Sequence, residues 1–100
     1  MKHYETMYII KSTLDDAARA QLVEEMHAII TNYGGSITKT DEWGLREFAY
    51  EIDGMTKGYY VVVTYESDTE GLNEFTRLMR LNPEVVRVMT INLDEEKANA

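Results

Sequence analysis

What most constrains this chain is the order in which its apolar residues change period. From His3 to Lys11 the pattern alternates, with Tyr4, Thr6, Tyr8 and Ile10 set against Met7 and Ile9, as a strand covered on at least one face requires. Leu22, Met26, Ile29, Ile30 and Tyr33 then fall at i, i+4, i+7, i+8 and i+11, one stripe of an α-helix. KSTLDDA ahead of it offers Ser, Thr and Asp as N-caps, with Asp15 and Asp16 suited to a first turn, and Gly34-Gly35 stops it. An extended run from Ser36 to Asp53 follows, with Gly44 placed for a bulge or bend. Arg46, Phe48, Tyr50 and Ile52 share one side of it; Leu45, Glu47, Ala49 and Glu51 share the other. DGMTKG brings glycines to both sides of a hairpin connection, and YYVVVTYE (59–66) is a β-branched, aromatic run of central-strand type. A second helix begins near Asp68 or Thr69, turns Leu72, Phe75, Leu78 and Met79 inward, and ends at Asn82-Pro83. EVVRVMTINL closes as a strand, and residues 94–100 read as a short acidic, flexible tail.

The resulting order, β-α-β-β-α-β, is the split βαβ or ferredoxin-like unit of the α+β class. Right-handed crossovers put both helices on one face of a four-stranded antiparallel sheet, with strands one and three central and strands two and four at the edges. One hundred residues support one core, so residues 1–93 are expected to form a single domain.

Composition removes several classes of function. With no cysteine there is no disulfide framework, thiol nucleophile or zinc knuckle. Apolar runs as short as YYVVV span no membrane, and the N-terminus lacks a signal-peptide pattern, so a soluble, cytoplasmic protein is expected. No metal, cofactor or small-molecule substrate is implied. His3 and His27 are the two histidines. His27 falls with Ala20, Glu24 and Thr31 away from the apolar stripe, where a solvated side chain is expected. Neighbouring acids such as Glu24-Glu25 read as a solvated face, and no nucleophile, phosphate-loop or metal-ligand spacing occurs. Catalysis has no constellation to rest on.

Two features point towards RNA. KGYYVVVTY from Lys57 partly follows the RNA-recognition-motif signature, matching at Lys57, Gly58, Tyr59 and Val62, but Val61 stands where an aromatic would stack a base. The second feature is where the charge lies. The net charge is −8, yet helix one sets four acids against one arginine and strand two with its flanks sets five acids against two cations. The segment 69–92 is neutral and carries Arg77, Arg80 and Arg87. Asn73, Arg77 and Arg80 recur at i, i+4 and i+7, opposite Phe75 and Met79. The topology sets this helix beside strands one and four, so one edge gathers Lys2, His3, Asn73, Arg77, Arg80 and Arg87. A domain of this length is roughly 30 Å across and the Debye length is about 8 Å at physiological salt, so distant acids are largely screened from that edge.

These residues resemble one family end to end: the bacterial small-subunit ribosomal protein six family. MKHYE is similar to its opening, through Met1, Tyr4 and Glu5; NYGG (32–35) to its helix-one ending. WGLREFAYEI is similar to its G-x-R-x-L-A-Y-x-I segment through Gly44, Arg46, Ala49, Tyr50 and Ile52. KGYY and RLMRLNPEVVRVM resemble its third-strand start and its second helix with fourth strand. The resemblance implies a ferredoxin-like fold and a structural role in the ribosome without enzymatic activity. It implies binding to the central domain of small-subunit (16S) ribosomal RNA together with small-subunit ribosomal protein eighteen. The matching RNA-side residues are Lys2, His3, Asn73, Arg77, Arg80 and Arg87.

The chain departs from the family where basic residues are common: Glu47, Leu45 and Val86 stand in such places, and His3 stands where arginine is common. With ~4 phosphate contacts the salt slope is expected at about −3 to −4 in log–log terms. The acidic strand-two edge becomes the expected docking side for the protein partner, through Trp43, Arg46, Glu47, Phe48, Tyr50 and Glu51, because opposite fields steer association. Two rival readings make separate demands. A single-strand RNA binder of the RNA-recognition-motif type needs Tyr8 and Tyr59 on the open sheet face. A ferredoxin-like protein-interaction module needs no RNA at all. An acylphosphatase would need a glycine loop after strand one, and IIKSTLDD has none.

Overall fold

The computed structural model of the chain describes residues 1–52 and 54–94. Its elements are β1 (Lys2–Lys11), α1 (Asp16–Asn32), β2 (Ser36–Ile52), β3 (Met55–Ser67), α2 (Thr69–Leu81) and β4 (Val85–Asn92). All strand pairings are antiparallel in the order β2-β3-β1-β4, which makes β1 and β3 central, as the order of periods predicts.

Local chemistry sets the element ends. Asp15 caps α1 by accepting from the Ala18 amide at 2.7 Å, which satisfies one of the orphan donors of the first turn. At the other end Gly34 takes φ +84°, and Gly35 lies so close to the Glu66 carbonyl that a Cβ there would collide with it. Gly44 also takes φ +84°, at the register shift between Glu42 and Gly44, and so forms the expected bulge.

Cross-strand partners share a sheet face, so the register assigns the side chains. Tyr4, Tyr8 and Ile10 of β1 and Val61, Val63 and Tyr65 of β3 are buried with Leu22, Met26 and Ile30 of α1 and Phe75 and Met79 of α2. Both helices therefore cover the same face. Tyr65 and Phe75 meet edge to face at 5.5 Å, and truncating Phe75 to alanine would cost about 3–5 kcal/mol.

Two expectations for α1 need correcting. Tyr33 is 41% exposed rather than on the buried stripe, because it is the C-cap, where the chain leaves the helix; its hydroxyl donates to Glu74 at 3.3 Å. His27 is half-buried rather than solvated, and its Nε2 is hydrogen-bonded to the Tyr8 hydroxyl at 2.9 Å. It follows Met26 on the helix and leans over the sheet, so the edge of the stripe is wider than its apolar members. Of the tail expected over 94–100, Asp94 is described and the rest lies outside the described residues, as does Asp53. Among the described residues no helix is long and apolar enough to cross a membrane.

Candidate nucleic-acid interface

Helix α2 begins where Asp68 accepts from the Gly71 amide at 2.8 Å. Gly71 is buried against Ser67, leaving no room for a side chain, so the first turn sits down on the end of β3. With Phe75 and Met79 anchored in the core, Asn73, Arg77 and Arg80 emerge on the outer side and are exposed. They line a groove of about 700 Å³ between α2 and β4, whose floor includes Tyr4, Thr90 and Asn92. Among the described residues no carboxylate lines it, in a chain with 18 acidic residues.

The six expected RNA-side residues occupy one edge but are not equivalent. Arg80 also borders the adjoining depression with Arg87, so it links α2 to β4. Arg77 is held by Glu74, to which its Nε donates at 2.7 Å, and part of its charge is spent there. Lys2 pairs with Ser67 at the start of the edge and Arg87 with Ile9 near its far end. At ~3.3 Å per residue those two cations are roughly 20 Å apart. Asn73, Arg77 and Arg80 lie on the helix side of this edge, whereas Arg87, opposite Ile9 and so on the same face as Tyr60, reaches it from the open side. His3 is engaged elsewhere: its Nε2 meets Glu66 at 2.7 Å, its Nδ1 meets Asp94 at 3.0 Å, and its amide donates to Asp94 at 3.0 Å. Held by two carboxylates, it clamps the beginning of the C-terminal segment and offers little to a phosphate. Among the described residues Lys2, Arg80 and Arg87 have no ion-pair partner.

The expected partner-facing residues divide between two sides of β2. Arg46 is opposite Gly58 and shares its open face with Phe48, whereas Glu47 is opposite Lys57 and turns towards the helix side. Trp43, the bulged residue, stacks on Tyr60 at 6.3 Å and 7°, and the Arg46 guanidinium lies 5.5 Å from the Trp43 ring. Phe48 meets Tyr60 at 6.3 Å. Tyr50 is exposed, and Glu51 is exposed beside Gly54 on the projecting hairpin. The sequence reading missed Tyr60, Met89 and Ile91, which extend this open apolar face. Valines on both sides of β3 blur its period, which hid Tyr60.

Tyr8 and Tyr59 both lie on the helix side. Tyr8 is fully buried beneath α1, and Arg19 of α1 sits 3.9 Å above the Tyr59 ring. Val61, in the position of the second stacking aromatic, is in the core. The strand thus has the opposite phase to an RNA-recognition motif, and that mode of base stacking is closed to it.

A family model described as Ribosomal protein S6 matches residues 3–92. A protein of Halalkalibacterium halodurans named small ribosomal subunit protein bS6 is 42% identical over 96 residues, 96% of this chain and 100% of that one. Its counterpart of the same name in Shouchella clausii is 38% identical over the same lengths. The crystal structure of 30S ribosomal protein S6 from Thermotoga maritima superposes with a TM-score of 0.88 at 35% identity, covering 98% of this chain and 94% of that one. Sequence order, sheet topology and full-length similarity agree: the chain belongs to the bacterial ribosomal protein S6 family, a family of structural, non-enzymatic proteins of the small ribosomal subunit.

Proposed function

We propose that this chain, located in the cytoplasm as part of the small ribosomal subunit, binds the central domain of small-subunit ribosomal RNA through the α2/β4 edge, jointly with small-subunit ribosomal protein eighteen. The observation that carries the RNA side is the groove lined by Asn73, Arg77 and Arg80 and, among the described residues, by no carboxylate, on a molecule that is acidic overall. Lys2 and Arg87 extend the line of positive charge to both ends of the edge, and such contacts fix register on folded RNA without reading much sequence. His3 contributes by holding Asp94 rather than by touching RNA.

The protein partner docks on the open sheet face beside β2. Trp43 is 45% exposed, Met89 61% and Ile91 38%, with Phe48 beside Trp43 on β2 and Tyr60 on the central strand β3, and an exposed apolar field of this kind marks a protein interface. The acids of β2 supply the field that attracts a basic partner, and the apolar face supplies the contact. The test is binding of the chain to a central-domain RNA fragment with and without protein eighteen. Arg80→Glu is expected to weaken the ternary complex at least ~10-fold while leaving the protein pair intact. An unchanged RNA affinity would reject the edge as the RNA side.

A further inference from the structure

We infer that the α2/β4 groove is a seat for a single unstacked nucleotide of the bound RNA, not merely a charged edge laid against a phosphate backbone. The inference rests on the RNA-side reading of this edge and adds what the concavity is for. Phosphates of a helix need cations on an accessible surface, and Lys2, Arg80 and Arg87 supply those without any groove. The groove adds an apolar wall and a directed hydrogen-bond donor. Leu72 and Leu81 line its sides, and Leu81 is 66% exposed, so it stands free to cover a planar ring.

The donor comes from a hydroxyl relay that starts in the core. The Tyr65 hydroxyl is 2.8 Å from Thr6 Oγ1, and Thr6 Oγ1 is 2.8 Å from Thr90 Oγ1. Tyr65 and Thr6 are wholly buried, while Thr90 lines the groove. Either hydroxyl can donate in each bond; when Tyr65 donates to Thr6 and Thr6 to Thr90, the hydrogens of the two buried hydroxyls are used. The last hydrogen is then on Thr90, the member that can aim it outward. A base presents carbonyl oxygens and ring nitrogens that accept such a bond, and Asn73 at the rim both donates and accepts. Arg77 and Arg80 are placed for the flanking phosphates. Among the described residues no carboxylate is in the lining to repel those phosphates, and Glu74 lies outside it, against Arg77.

The test replaces Leu81 with photo-leucine in the full chain, assembles it into small subunits and maps the crosslinks. The expected result is a crosslink confined to one unpaired nucleotide. Thr90→Ser should preserve its yield, and Thr90→Val should lower it ~5- to 10-fold, the loss of one hydrogen bond. Crosslinks spread along paired nucleotides, crosslinks to protein alone, or none while the chain remains in the subunit would overturn the inference and leave the RNA-side reading standing. Should the chain itself be absent from the subunits, both fall. If Thr90→Val does not fold, the Leu81 crosslink still decides.

Discussion

At the scale of single residues, His27 ties α1 to the sheet through a neutral imidazole. Burial lowers its pKa below the ordinary 6.5, against the smaller pull of Glu42, and burial likewise keeps the Tyr8 phenol protonated. The folded state therefore binds fewer protons than the unfolded state just below pH 6.5. The stabilisation is complete above that pH and declines as pH falls through and below it. Relative to a His27→Gln variant, the wild type should lose stability on acidification from pH 7 to pH 5; denaturant unfolding across that range measures it. A constant difference between the two proteins would refute the role. Gly35 makes a steric prediction: Gly35→Ala, driving a Cβ into the Glu66 carbonyl, should destabilise by about 1–3 kcal/mol in the same assay. The histidines also show where residue-level reading stops. Helical spacing places His27 beside the stripe but cannot say that Tyr8 reaches up to it from a strand 19 residues away in sequence. No local pattern could reveal that His3 is held by Asp94, at a separation of 91 residues.

Among the elements, β2 carries the most information and the most ambiguity. Its length, its bulge at Gly44 and the alternation of Arg46 and Phe48 against Glu47 are legible in the sequence, since a period of two follows from the pleat. What was not legible is that the bulge swings Trp43 onto Tyr60, because a bulge displaces the residue beside it from the simple alternation. Trp43 is the single tryptophan, so it reports on the open face directly. Binding of protein eighteen should shift its emission, and Trp43→Ala or Phe48→Ala should weaken that pair ~10-fold or more, as an aromatic anchor does when truncated. Reversing Glu47 and Glu51 to lysine should instead slow association while leaving RNA affinity intact or improved, because these acids act through the field. Stopped-flow fluorescence separates the two effects, and a faster association of the reversed variant would contradict this division of labour.

Over the whole molecule, charge and shape are arranged across the sheet. The extents are 37 × 31 × 21 Å, several times the ~8 Å Debye length, so the acids of α1 and β2 scarcely weaken binding at the opposite β4 edge. The strand order that separates them was readable from the periods alone, and so was the row Asn73, Arg77, Arg80. The concavity beneath that row was not, because it depends on how far α2 stands off β4, which core side chains such as Phe75 and Met79 determine. The structure also lowers the number of effective cations. With His3 clamped and Arg77 partly neutralised, about three phosphate contacts remain, and the salt slope should be nearer −2 to −3 than −4. The most direct measurement is co-sedimentation with small subunits from a cell lysate at moderate salt, comparing the wild type with Arg80→Glu. The wild type should travel with the subunits and the variant should remain in the supernatant. A wild type absent from the subunits, or a variant that sediments equally well, would contradict the α2/β4 edge as the RNA-binding side.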